Sequence, residues 1–243
     1  AIVGAVRNRG GGAHDVRERG VGADGRLGGI HVLVLLARGV HFKFFRKVRR
    51  LQLSEDRKWV ARVHLDIQAQ VKDGASYDPL YTVKGARCWP SEPFWEQLER
   101  GAEMKAASVN FESHWCQWPA AGPEVLELGT HFDKVILGIN AGAFQRLNDA
   151  DGSICDELIE ANEPFRLMTQ QLGLIPTFGV QLWMDRTLAD LGWTEHKPAM
   201  VGAVEPMDVW ADMTQLLQGE SWPAIGGPRS LHFFCGPWCT ALH

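Results

Sequence analysis

Phe132-Asp133-Lys134-Val135-Ile136-Leu137-Gly138-Ile139-Asn140 is the stretch on which the fold assignment turns. Val135, Ile136, Leu137 and Ile139 form an apolar run interrupted only by Gly138, with a charged pair before it and Asn140-Ala141-Gly142 after it. A short run of this kind reads as a parallel strand buried on both faces and ending at a turn. A buried helix segment can show the same run, but this one is short and β-branched at Val135, Ile136 and Ile139. The carboxyl end of such a strand is where open α/β sheets bind their ligands. The fold class expected from it is α/β, in the mixed α+β sense.

Upstream, Val40 to Leu53 shows a broken alternation rich in aromatic and β-branched residues, and Ser54-Glu55-Asp56-Arg57-Lys58 is a polar turn. From Trp59 to Val71 the alternation returns, with Ala61, Val63, Leu65 and Ile67 set against Val60, Arg62, His64 and Asp66. The pair reads as a β-hairpin or meander with one wet face. Before it, His31 to Arg38 reads as the end of a helix closed by Gly39. Residues 72–92 read as loop, Pro93 to Arg100 as a short helix, and Asn110 to Gly129 as an irregular Trp/Pro-rich segment.

Downstream, Ala150 to Leu172 reads as two helices broken at Pro164. Thr177 to Met184 and Ala199 to Val204 read as strands with a short helix, Leu188 to Gly192, between them. Pro206 is expected to open a helix through Leu217, because Pro suits the first helical position and acids follow it. Ser230 to Cys235 reads as a last strand.

Composition bounds the function. The chain has 243 residues, 45% hydrophobic and 22% charged, as in ordinary globular proteins. Residues 1–50 hold eleven Lys/Arg against three acids, so a net charge of −4 hides a basic end and an acidic remainder. Those arginines lie among glycines without aromatic interleaving, so no nucleic-acid partner is expected. No apolar run approaches the roughly 20 residues of a membrane span, and no signal peptide is legible. Five cysteines without a second Cys/His pair at zinc spacing point to free thiols in a reducing cytoplasm and to no metal site. Ten Trp against two Tyr point to aromatic-lined surfaces in a core or a pocket.

Residues 1–30 carry nine of the 26 glycines and little apolar surface, so the segment is expected to be disordered or non-native. Its literal G-x-G-x-x-G, Gly20 to Gly25, lacks a strand before it and a helix after it, and is read as chance. The missing initiator Met hints at a longer parent chain. No catalytic residue is assigned. Glu205, Asp208 and Asp212 satisfy helix-start preferences without function, His232 is a lone histidine more often satisfied in a core than used as a base, and the stretch His114-Trp115-Cys116 is not read as a dyad.

Two stretches together carry a resemblance. Gly39-Val40-His41-Phe42-Lys43-Phe44-Phe45-Arg46-Lys47-Val48-Arg49-Arg50-Leu51, followed by Phe132-Asp133-Lys134-Val135-Ile136-Leu137-Gly138-Ile139, resembles the interior of FAD-dependent oxidoreductases of the amine oxidase and phytoene desaturase superfamily. Gln181 to Asp185, Glu205 to Met213 and Phe233 to Gly236 are similar to further segments of its large bacterial NAD(P)/FAD-binding members.

The resemblance implies that Val48 meets the adenine end of FAD through its backbone. It also implies that Gly138 and Ile139 lie on the strand returning to the cofactor domain. Three regions follow: residues 1–30; 31–140 as a partial FAD-binding, Rossmann-like domain with the hairpin and a Trp/Pro-rich insert; and 141–243 as a helical and β-strand substrate domain. The family's glycine-rich ADP cradle and its C-terminal Gly-Asp motif have no counterpart here. The implied function is therefore a portion of a flavin oxidoreductase acting on a small molecule, binding FAD weakly or not at all by itself. The alternative is a non-catalytic α/β module whose Trp-rich pocket takes an apolar ligand or a protein partner.

Overall fold

The computed structural model describes residues 32–113, 116–138, 144, 152–173, 175–194, 200–202, 207–223 and 225–237. The expected disorder of residues 1–30, the Gly20–Gly25 match, Ile139 and Asn140 lie outside them. The chain divides into two compact units, each built from separated segments: Arg38–Asp78 with Phe94–Leu174, and Pro79–Pro93 with Ile175–His243. The architecture is mixed α+β with three small sheets, and every ladder between their strands is antiparallel.

In the first unit, β1 (Arg46–Leu53), β2 (Val60–Ile67) and β5 (Gly122–Glu127) form a three-stranded meander with β2 in the middle. The broken alternation of β1 has a structural cause. Val48 and Leu51 are three apart, so a regular strand would put them on opposite faces. The ladder pairs Val48 with Leu65 but Arg50 with His64, leaving Arg49 as an extra residue. That bulge brings Val48 and Leu51 to the same face, where Leu51, Val63 and Leu65 are buried with Phe132 and Cys155. Helices α3 (Asp156–Ala161) and α4 (Glu163–Gln171) complete this core through Leu158, Ile159 and Phe165. They part at Asn162, whose side chain accepts the Phe165 N–H at 2.9 Å, with Pro164 in the first turn of α4.

A second cluster, Ala69, Trp95, Leu98 and Met104, gathers Phe45, Phe111 and Trp118 around it. Its helix, α2 (Gly101–Ala106), begins where the expected 93–100 helix would end, and Trp95–Gln97 makes only one 3₁₀ turn. Arg100 before α2 has φ 56°, a left-handed backbone that stops an α-helix from running through it.

The central expectation is corrected. Residues 134–138 join no ladder, so no parallel strand runs through them. Only alternate side chains reach the core: Val135 and Leu137 pack on it, while Ile136 is 64% exposed and Gly138 is exposed. The stretch lies on the meander core as an irregular segment held by Val135 and Leu137.

In the second unit, β9 (Ser230–Pro237) is central in a sheet ordered β6-β9-β8-β7, with β6 (Thr177–Met184), β8 (Val209–Asp212) and β7 (Met200–Gly202). Phe233 lies so near Gly179 that a Cβ there would meet its ring at 3.0 Å. The expected helix from Pro206 to Leu217 is corrected to β8 followed by a 3₁₀ turn, Thr214–Gly219. Val209 and Trp210 favour strand, and β8 has a partner on each side. The expected 188–192 helix is a turn. Residues 72–92, read as loop, contain a hairpin of β3 (Tyr81–Val83) and β4 (Ala86–Cys88). Its Lys84-Gly85 turn has φ of 47° and 79°, the primed geometry that hairpins prefer. A short helix, α1, spans 32–37 with Gly39 following at φ 80°, as the sequence implied.

Candidate functional site

The bulge in β1 has consequences for its backbone as well as its side chains. Backbone N–H groups alternate between the two edges of a strand, in step with the side chains. Leu51 and Leu53 turn theirs to the outer edge, where Leu51 donates to the Ile154 carbonyl at 2.9 Å and Leu53 to Glu157 Oε2 at 2.8 Å. The extra residue at Arg49 shifts the count, so Val48 presents its backbone to that outer edge together with its side chain to the core. Among the described residues nothing bonds to this edge between Arg46 and Arg50 through the backbone. Among the described residues the edge therefore has no backbone partner around Val48, up to where Ile154 and Glu157 bond to it.

Charged pairs hold this edge in place. Arg50 donates its Nε to Glu157 Oε1 at 2.9 Å, tying β1 to α3. Burial alone would raise the Glu157 carboxyl, but the Leu53 N–H, Arg50 and Arg57 outweigh it and hold it below the ordinary value. On the other side, Arg46 Nε meets Glu124 Oε2 at 2.6 Å and Lys43 also pairs with Glu124. Burial again opposes ionisation of Glu124, and the bonds from Lys43 and Arg46 prevail, leaving its pKa lowered.

The sheet face opposite the core carries a pocket of about 200 Å³. Lys47 and Arg49, the neighbours of Val48, line it with Asp66 and Gln68, under Phe111 and Trp118. Arg49 pairs with Asp66 at 3.2 Å. Gln68 Nε2 donates to the Phe111 carbonyl at 3.0 Å, fixing the aromatic wall. Arg100 stacks over Trp118, 4.8 Å from the ring centre. A second pocket of about 420 Å³ adjoins the first and shares Cys116, Gln117 and Trp118 with it.

The structure thus brings Val48, Val135 and Leu137 onto one core, joining the two stretches singled out in the sequence. Gly138 follows as exposed coil. The pocket of Lys47, Arg49, Gln68 and Trp118 escaped the sequence reading. Its one legible signal was the three-residue spacing from Val48 to Leu51, which implies a bulge.

Other candidates resolve into structural roles. His232 is 5% exposed and Ser230 1%, their side chains 2.9 Å apart. Trp210 Nε1 donates to His232 Nδ1 at 3.3 Å, which puts the ring proton on Nε2. Nε2–H therefore donates to Ser230 Oγ, whose own proton goes to the Arg186 carbonyl at 2.6 Å. The histidine has no vacant nitrogen to accept the serine proton, so the pair is a core bracket with no nucleophile. Asp212 accepts from the Thr214 N–H at 3.0 Å and its hydroxyl at 2.5 Å, closing a turn. Asp208 is half-buried, and Glu205 and His114 lie outside the described residues. Burial, with Asp156 beside it, pushes the Cys155 thiol up to about 12, so it packs as an inert hydrophobe. The four described cysteines are free, and among the described residues no three His, Cys, Asp or Glu gather as metal ligands. No described helix is long and apolar enough to cross a membrane.

No family model, curated protein or solved structure matches this chain.

Proposed function

We propose that this chain is a portion of a flavin-dependent oxidoreductase of the amine oxidase and phytoene desaturase type. In this reading the meander lies beside a Rossmann-like sheet at the adenine end of FAD. The second unit supplies strands of the region that receives a small-molecule substrate, and the parent is cytoplasmic. The observation that carries the reading is the bulge at Arg49, which turns the backbone of Val48 to an edge where no described residue pairs with it. An open strand edge offers N–H and C=O groups side by side, the pattern that complements the edge of an adenine ring.

The described residues fit the adenine end alone. Among them no glycine-rich loop runs into a helix that could neutralise a pyrophosphate. When bound, the flavin accepts a hydride from the substrate. This chain's own residues orient and exclude water: Val48 aligns the ring edge, and Val135 and Leu137 stiffen the strand from behind.

Absorbance tests the reading. The parent protein should purify with flavin bands near stoichiometry, and residues 1–243 alone should not. A colourless parent overturns the proposal, and tight FAD binding by 1–243 alone overturns the assignment of the phosphate-binding portion to another segment. The alternative, a non-catalytic binding module, draws its support from the Trp118 pocket and is favoured by the colourless outcome.

A further inference from the structure

Cations on a sheet surface ordinarily extend into water or pair with the acid across the strand. Lys47 does neither. It stands opposite Asp66 in the ladder, yet Asp66 is engaged by Arg49 at 3.2 Å. Lys47 is half-buried, and its ammonium makes no hydrogen bond or ion pair among the described residues. One uncompensated positive charge therefore stands in a pocket whose wall is Phe111 and Trp118. The Gln68 bond to the Phe111 carbonyl and the Arg100 stack on Trp118 keep that wall rigid.

We infer that this pocket is a binding site for a small planar aromatic carboxylate, separate from the flavin edge and independent of the flavin reading. The carboxylate would meet Lys47, with Arg49 beside it, and the ring would lie against Trp118 and Phe111. The volume of about 200 Å³ admits a single ring bearing its carboxylate, and the adjoining space beyond Trp118 allows a substituent. Ring and charge act together: a neutral ring leaves the ammonium unpaired, and an anion without a ring leaves the aromatic wall to water.

Benzoate is the probe, titrated into residues 1–243 while the Trp indole resonances are followed by NMR. A contact area this small should give a dissociation constant on the order of 1 mM. Lys47→Gln should weaken benzoate about tenfold, a loss in the range of one charge-assisted bond. Lys47→Arg should retain most of the affinity, and benzamide and inorganic phosphate should each bind at least about fivefold more weakly than benzoate. No saturable shift with benzoate, an unchanged constant in Lys47→Gln, or equal binding of benzamide or phosphate would each overturn the site. Comparing the probes requires no variant, so the test survives a Lys47 substitution that fails to fold.

Discussion

The two larger sheets of this protein are built to different standards of cover. The meander has helices α3 and α4 against its core face, and Leu51 and Val63 are fully buried there. The β6-β9-β8-β7 sheet is buried chiefly along the first residues of β9, at Ser230, Leu231 and His232. Its outer strand β6 runs in unbroken register with β9 and carries no charge, no proline and no bulge. Leu182 and Trp183 on β6 are both more than two-fifths exposed. Natural edge strands usually carry such protections, so the contrast separates a self-sufficient core from a sheet that leaves apolar surface uncovered.

Substitutions sharpen that contrast. Leu51→Asp places an unpaired carboxylate at the centre of the meander core and should cost about 4 kcal/mol or more in a denaturant titration. Val135→Asp should cost about 1–2 kcal/mol, because Val135 is only half-buried and its neighbour Ile136 already faces water. Leu182→Asp on β6 should stay within about 0.5 kcal/mol while reducing self-association in sedimentation. Equal losses at Leu51 and Leu182 would erase the distinction between the sheets.

Deleting Arg49 is a milder intervention with a sharper reading. Removing the bulged residue leaves Val48 and Leu51 two apart, on one face of a regular strand. The deletion should cost less than about 1 kcal/mol, far below the Leu51→Asp loss. A collapse of the meander on deletion would mean the extra residue is not what aligns Val48 with the core.

The smallest effect is acid sensitivity. Glu157 and Glu124 ionise more readily in the folded protein than their ordinary value of 4.5. Their contribution to stability is therefore present above that value and fades as pH falls through and below it. Glu157→Gln should remove a small stabilisation from the neutral range and flatten the acid limb for the first unit, the two stability profiles converging at low pH. An acid limb identical to that of the unsubstituted protein would remove Glu157 from the account.

Local pattern was legible where it was regular. The two-residue periods around Val63-Leu65 and along Thr177–Met184 became strands, and the break before Pro164 became Asn162 capping α4. The apolar run at 135–139 misled because an apolar run states that side chains seek a core without stating which partner strand remains free. The helix signal around Pro206 failed for the converse reason: Val209 and Trp210 found a sheet on both sides, and tertiary pairing overrode the capping pattern. The Trp118 pocket was hard to read because its lining comes from β1, from Asp66 and Gln68, and from Phe111, Cys116 and Trp118, distant in sequence. The bulge was the intermediate case, encoded in the Val48–Leu51 spacing but readable only with the ladder beside it.

The outward-facing edge at Val48, without a backbone partner among the described residues, carries the functional account, and a backbone substitution addresses it most directly. In the parent protein, the flavin-to-protein ratio after gel filtration should be unchanged by Val48→Ile, which keeps the N–H and the core-facing side chain. Val48→Pro removes that N–H and should leave the protein largely without flavin. Full flavin occupancy and unchanged stability in both variants would contradict the placement of the cofactor against this edge.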